Sequence, residues 1–332
     1  MRNAARAVLV ASATLVLVAG ATLVGTPAAA LAATRHYYVQ AEDVSWDFAP
    51  TGEDRIHGDA IPAPWTRYTI WAKTRYIEYT DATFSVKKEQ PPWLGVLGPI
   101  IRAEVGDTVL VHFRNRASGS YGMHPHGFRY DKDSEGAHYE PAGAGAQIPP
   151  GGEFTYTWIA DADSGPGPND PSSLVWWYHS HVDEPAETNA GLLGPIVITG
   201  KGQARADATP IGIDREFVLA FFIFDEDEGR ERGLMHAING YIFGNLPGIT
   251  MRTGDKVRWY VLGMGNEVDL HTVHWHGKTL ARSGSRTDAI ELLPGSMATA
   301  DMTADNPGTW LIHCHVADHI YAGMLATYTI TR

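Results

Sequence analysis

The sequence predicts an all-β protein built as two tandem sandwich- or barrel-like domains. Three observations carry that expectation. Short apolar, β-branched and aromatic runs follow one another, broken by Gly, Pro, Asn and Asp. Helical periodicity is scarce. One set of landmarks occurs twice in the same order, about 145 residues apart.

In chain order, Arg2 and Arg6 head an apolar run from Ala7 to about Val24, and small residues then lead to Ala30-Leu31-Ala32. This is the layout of a Sec-type signal peptide with cleavage near Ala32, so residues 1–32 are set apart and the mature chain is expected outside the cell. The arginines are not adjacent, which leaves a twin-arginine signal unsupported; an uncleaved anchor is the alternative that the small-residue exit disfavours. Residues 33–200 are expected to form the first domain. Its runs include Tyr37-Tyr38-Val39 and the stretch from Thr108 to Phe113. Residues 201–212 read as a linker, with Lys201-Gly202-Gln203-Ala204 and Asp207-Ala208-Thr209-Pro210. Residues 213–332 form the second expected domain, with a run from Val257 to Val261.

The landmarks tie the two domains together. Gly106-Asp107 pairs with Gly254-Asp255, and His124-Pro125-His126-Gly127 with His274-Trp275-His276-Gly277. Pro150-Gly151 pairs with Pro294-Gly295. The stretch from Trp176 to His181 pairs with that from Trp310 to His315, and Ala190-Gly191-Leu192-Leu193 with Ala322-Gly323-Met324-Leu325. Five landmarks in one order imply an internal duplication.

Composition narrows the function. The formal net charge is −12, and loss of the two leader arginines would make it −14. So acidic a chain has no electrostatic reason to bind nucleic acid or anionic lipid, and draws cations instead. After the leader no stretch is apolar for long enough to span a bilayer. The chain has one cysteine, Cys314, which cannot form an internal disulfide. It could be a small buried apolar residue. Its neighbours, His313 and His315, point to a metal ligand instead.

Ten of the fifteen histidines fall in four clusters: His124 and His126; His179 and His181; His271, His274 and His276; and His313, His315 and His319 around Cys314. Side chains alternate faces along a strand, so H-x-H puts both imidazoles on one face. His313 and His315 therefore face one way and Cys314 the other, and the same parity turns His271 away from His274 and His276. Two sets result. One holds His271, Cys314, His319 and Met324, two imidazoles with a thiolate and a thioether, which describes a blue-copper electron-transfer site. The C-x4-H-x4-M spacing suits a strand end and short loop that fold back around one ion. Zinc also takes two histidines and a cysteine, but would leave eight further histidines unexplained. Met324 could equally be core packing. The other set is eight imidazoles, four from each half, too many for one ion and suited to a cluster of about three coppers.

These motifs resemble the signature of the multicopper oxidases, and the resemblance spans residues 124 to 324. It implies the cupredoxin fold twice, as Greek-key β-sandwiches, and four coppers per functional unit. By that resemblance His271, Cys314, His319 and Met324 hold the type 1 copper. His124 and His274 hold the type 2 copper, and His126, His179, His181, His276, His313 and His315 the type 3 pair. Tyr121 stands in the place of His271 and Ser180 in the place of Cys314, so the first domain lacks a type 1 site. The resemblance also implies a head-to-tail homotrimer that completes each cluster between subunits, with a monomer closing it internally as the alternative. The implied reaction takes electrons singly from a small reductant or metal ion and passes four to O2, giving water. Asp131 and Glu135 are candidate proton donors, and Tyr130 a candidate neighbour of the type 2 copper; a polar loop and a packed aromatic would explain them as well.

Some stretches resemble ceruloplasmin and its relatives, among them those from Tyr79 to Phe84, Trp93 to Ile101, Met235 to Gly240 and Gly263 to Glu267. That resemblance carries a ferrous-iron site over to Glu231, His236 and Asp318, with the acidic run from Asp225 to Glu228 gathering cations. The alternative is a solvated loop, with Asp318 orienting its neighbour His319. Laccase-like oxidation of phenols, ferroxidase activity and cuprous oxidation all remain open at this level. A copper nitrite reductase is disfavoured because its type 1 ligands would lie in the first domain. A non-catalytic copper protein is disfavoured by the full histidine set.

Overall fold

The computed structural model describes residues 32–332, so the leader expected over 1–32 lies outside the described residues apart from Ala32. The N-terminal half contributes β1 (Thr34–Asp47), β2 (Glu53–Asp54), β3 (Asp59–Ala60), β4 (Ile70–Tyr79), β5 (Ile101–Glu104) and β6 (Thr108–Asn115). It continues with β7 (His124–Pro125), β8 (Arg129–Tyr130), β9 (Glu153–Ile159), β10 (Ser173–His179), helix α1 (Glu184–Ala190) and β11 (Leu193–Thr199). One sheet runs β4-β1-β6-β9-β8 and its companion β5-β11-β10-β7.

The C-terminal half repeats the plan. It holds β12 (Arg215–Asp225), β13 (Leu234–Ile238), β14 (Thr250–Arg252), β15 (Lys256–Gly263), β16 (His271–Trp275), β17 (Leu280–Arg282) and β18 (Ser285–Thr287). Then come β19 (Ala289–Leu292), β20 (Met297–Thr303), β21 (Gly308–Cys314), helix α2 (Ala317–Tyr321) and β22 (Leu325–Thr331). Its sheets run β13-β12-β15-β20-β17-β18 and β14-β22-β21-β16-β19. The parallel pairs β1–β6 and β5–β11 recur as β12–β15 and β14–β22. A parallel pair cannot be joined by a hairpin, so each needs a crossover, and the same two crossovers occur in both halves.

The expected linker is not slack. Ala204 bridges Pro210, the Thr199 hydroxyl donates to the Ala208 carbonyl at 2.8 Å, and Ala208 is fully buried. The halves also share an apolar layer. Strand β12 sends Phe217, Leu219, Phe221 and Ile223 into the core of its own half, and Val218, Ala220, Phe222 and Phe224 into the layer containing Trp177, Leu193 and Val197. Burial on both faces is why this strand reads as one unbroken apolar run rather than an alternation. Across the joint, the ammonium of Lys73 pairs with the carboxylate of Glu226, and Trp177 Nε1 donates to the Gly263 carbonyl at 3.2 Å. No helix among the described residues is long and apolar enough to cross a membrane.

Candidate metal centre

Strand β16, the end of β21 and helix α2 build the sulfur-bearing group. Val273 pairs with Cys314 and His274 with His313. The thiol and the ring of His313 therefore leave β21 on opposite faces, as strand parity requires. Cys314 Sγ lies 3.4 Å from His319 Nδ1 and 3.8 Å from His271 Nδ1, and the two nitrogens are 3.2 Å apart. All three ligand atoms lie within 4.8 Å of one another, and all three residues are buried. Burial pushes His319 down to about 4, with His271 adding to the effect, and pushes the Cys314 thiol up. A neutral imidazole keeps a lone pair for a metal, and two ring nitrogens converging on a sulfur fit a soft ion. Met324 is fully buried in the same apolar cluster as Cys314. Its carbonyl accepts from the Cys314 amide at 3.2 Å, and its amide donates to the His319 carbonyl at 2.9 Å.

Here the structure differs from the expected short loop: a single helical turn, α2, carries His319 back to the sulfur. Gly323, with φ of +92°, then lets the chain leave that turn.

Pure imidazole groups lie on the other faces. His124, His126 and His179 bring ligand nitrogens within 4.8 Å of one another, and the ring of His181 stands 5.2 Å from that of His124. In the C-terminal half His274, His276 and His313 do the same, and the ring of His315 is 5.4 Å from that of His313. Backbone carbonyls set four of the rings. His124 Nδ1 donates to Glu135 at 2.7 Å and His179 Nδ1 to Ser180 at 2.9 Å. In the same way His274 Nδ1 donates to Asp288 at 2.9 Å and His313 Nδ1 to Cys314 at 2.7 Å. With Nδ1 donating, Nε2 is left with the lone pair. Nε2 of His126 approaches that of His179 to 3.1 Å, and Nε2 of His276 that of His313 to 3.2 Å. Burial first, then neighbouring histidines, lowers His126 to about 4; burial also holds His179 at about 4.

The eight imidazoles thus form two groups of four, one in each half. Among the described residues no ring of one group packs on a ring of the other. The C-terminal group is open to solvent, with His276 and His315 exposed beside a cavity of about 520 Å³ lined by His274, His276 and Asp288.

The N-terminal half closes the place that corresponds to the sulfur site. Ser180 is fully buried and its hydroxyl accepts from the Gly122 amide at 3.1 Å, while Leu192 fills the position of Met324.

The ring of His236 packs 5.0 Å from that of His319, and burial lowers His236 to about 3. Asp318 and Glu231 are exposed, one on α2 beside His319 and the other on the turn leading to β13. Tyr130 stacks edge-on 5.9 Å from His124. Asp131 caps a short turn by accepting from the Ser134 amide, and the Glu135 carboxylate is engaged by Lys132 and Tyr139. Both therefore have local structural partners. Two acids at the site escaped sequence reasoning. Glu184 places its carboxylate 3.3 Å from His181 Nε2 and 3.8 Å from His179 Nε2. Asp269, wholly buried, stands 3.3 Å from His271 Nε2. Closeness to a histidine motif was the only signal either offered.

Comparison with known proteins agrees with this geometry. Residues 77–203 and 222–332 each match a family described as multicopper oxidase. The chain is similar to human ferroxidase HEPHL1, 38% identical over 90% of this chain and 29% of the relative. It is also similar to rat hephaestin, 36% identical over 90% of this chain and 29% of the relative. Human ceruloplasmin is 36% identical over 91% of this chain and 32% of its own length. The chain thus spans about a third of the length of these curated relatives. Among solved structures, a multicopper oxidase superposes with a TM-score of 0.65 at 19% identity, covering 90% of this chain and 89% of the other. The blue copper oxidase of Nitrosomonas europaea does so at 0.62 and 20%, covering 90% and 86%. At such identities the superpositions speak to the fold, which is mostly β with cupredoxin-like sheets.

Proposed function

Because the chain belongs to the multicopper oxidase family, whose metal is copper, we propose that it oxidises a reductant one electron at a time and reduces O2 to water. One observation carries this reading. Cys314 joins a thiolate–imidazole pocket to an all-imidazole group through a single backbone segment, because His313 and His315 flank it. His271, Cys314, His319 and Met324 would hold a type 1 copper. His124 and His274 would hold the type 2 copper, and His126, His179, His181, His276, His313 and His315 a type 3 pair, four coppers in all. Bound there, copper supplies one-electron acceptance at the sulfur and dioxygen reduction among the imidazoles. The chain's own work is to fix the rings of His124, His179, His274 and His313 through carbonyl acceptors and to disfavour protonation of His126, His179 and His319 by burial. The hydrogen bond from His313 to the Cys314 carbonyl adds a second connection between the two sites.

Two half-sets of imidazoles, one of them solvent-facing, support a head-to-tail assembly in which neighbouring copies complete each cluster; a closed trimer is the simplest. Export by the segment 1–32 belongs to the same reading. For the reductant we favour ferrous iron. The curated relatives include a protein named ferroxidase, and His236 packs against His319 with Asp318 beside it. The acidic run from Asp225 to Glu228 lies on the strand end and turn leading to Glu231. Oxygen uptake by copper-loaded protein with Fe(II), Cu(I) and a phenol, measured side by side, tests both claims. No uptake with any donor removes the oxidase reading, and a preference for the phenol removes the iron site.

A further inference from the structure

The segment between β15 and β16 is folded against its own hydrophobicity. Val268 and Leu270 are 55% and 50% exposed, while Asp269 between them is 0% exposed. Hydrophobic burial alone would choose the opposite register, hiding two aliphatic side chains and freeing a carboxylate. Something on the inside must hold that carboxylate.

The seat is built for it. One oxygen of Asp269 accepts from the Ile223 amide at 2.7 Å, and the other accepts from the Asn266 amide at 3.0 Å. Gly265, with φ of +124°, makes the room, since a Cβ there would lie 2.1 Å from the carboxylate. The remaining neighbour is His271 Nε2 at 3.3 Å, and neither side chain is exposed. That nitrogen has no hydrogen-bond partner, so Asp269 meets it as a close neighbour and not as an acceptor. The contact is therefore a charge against a ring edge. His271 turns Nδ1 toward Cys314 and His319, so whenever Nδ1 donates its lone pair to a metal, the ring proton sits on Nε2, facing Asp269.

We propose that Asp269 is a positioning residue for the centre formed by His271, Cys314 and His319. Its carboxylate fixes the tautomer and tilt of His271, and its negative charge favours the oxidised state of the bound copper. Water cannot screen a charge sealed this deeply, so its influence on the centre is large for a residue that touches no metal. The inference rests on reading these three residues as copper ligands. A carboxylate that only tied down the loop would affect stability but leave the copper potential alone.

The test is Asp269→Asn in the full copper-loaded protein, with the potential of the blue centre measured by redox titration of its absorption. The expected result is a higher potential, with about 10–100-fold weaker copper retention at that site; Asp269→Glu should restore part of both. A folded, blue Asp269→Asn protein with an unchanged potential overturns the proposal. Should that variant fail to fold, wild-type protein loaded with Cu(I) and labelled at histidine nitrogen gives an independent answer. A His271 Nε2–H resonance protected from solvent exchange supports the proposal, and a His271 protonated at Nδ1 overturns it. A wild-type protein that stays colourless with bound copper would instead remove the reading of the centre itself.

Discussion

His313 donates its ring Nδ1 proton to the carbonyl oxygen of Cys314, its neighbour in sequence, across 2.7 Å. His179 and Ser180 make the same contact at 2.9 Å in the other half. The bond sets the His313 ring for the imidazole group while the thiol of the next residue faces the other way. The N-terminal copy keeps that geometry without the sulfur.

Replacing the sulfur should separate the two sites. Cys314→Ser is expected to abolish the blue absorption and oxygen uptake while leaving the copper held by imidazoles visible by electron paramagnetic resonance. An active blue variant would refute the assignment of Cys314.

Asp318, beside His319, and Glu231, on the turn before β13, should matter for iron and little for a phenol. Glu231→Ala combined with Asp318→Ala is expected to raise the KM for Fe(II) at least about tenfold, or about 1.4 kcal/mol. The KM for a bulky phenol should stay within a factor of two or so of the parent, as for other exposed substitutions away from a contact. Equal losses on both donors in steady-state kinetics would argue against an iron site.

Subunit pairing can be read by complementation. One inactive variant carries His126→Ala and His179→Ala, and another carries His276→Ala and His313→Ala. Co-expressed, they should regain part of the oxygen uptake, because an intact N-terminal group on one copy meets an intact C-terminal group on the next. Lack of recovery in mixed assemblies that do form would rule out clusters shared between copies.

The metal-free protein should weaken in mild acid. His126, His179 and His319 sit at about 4 when folded, against about 6.5 when unfolded. Between those values the unfolded chain binds protons that the folded chain refuses, so stability falls as pH drops from about 6.5 towards 4 and recovers as pH rises. Calorimetry of copper-stripped protein should give a lower Tm at pH 5 than at pH 7.5. An equal or higher Tm at pH 5 would mean that these imidazoles are not buried as neutral bases.

Lys73 joins the halves through Glu226, donates to the Asn189 carbonyl at 2.7 Å, and lies over Phe224. Lys73→Met leaves the Glu226 carboxylate, nearly buried, without its cation. Removing one partner of a buried pair costs about 3–5 kcal/mol, so the urea midpoint should fall markedly. An unchanged midpoint would show that the pair contributes nothing across the joint.

Much of the sulfur site was legible because strand parity is strict. H-C-H projects sulfur one way and imidazoles the other, and the structure brings His271 of β16 to Cys314 of β21 on that face. The duplicated plan was legible too, since turn glycines and histidine pairs mark the same crossovers twice. What stayed hidden has physical causes. Helix α2 is one turn long, too short to show a period, so the approach of His319 looked like loop. Asp269 sits between two aliphatic residues, and pattern reading sends such an acid to solvent. The unbroken run in β12 signals burial on both faces, but does not say which half supplies the cover. The gap between the two imidazole groups depends on how the halves pack, a long-range outcome that spacing does not encode.

The sharing of β12 between two apolar layers limits how this chain can be dissected. Cutting within residues 200–214 does not release two self-sufficient modules, because the second would carry Phe222 and Phe224 bare on its flank. The first would lose the lid over Trp177. Each fragment would present the other's missing surface as a sticky face. Recombinant halves should therefore aggregate singly and dissolve when produced together, and swapping one repeat for a homologue's should succeed only when that layer travels with it.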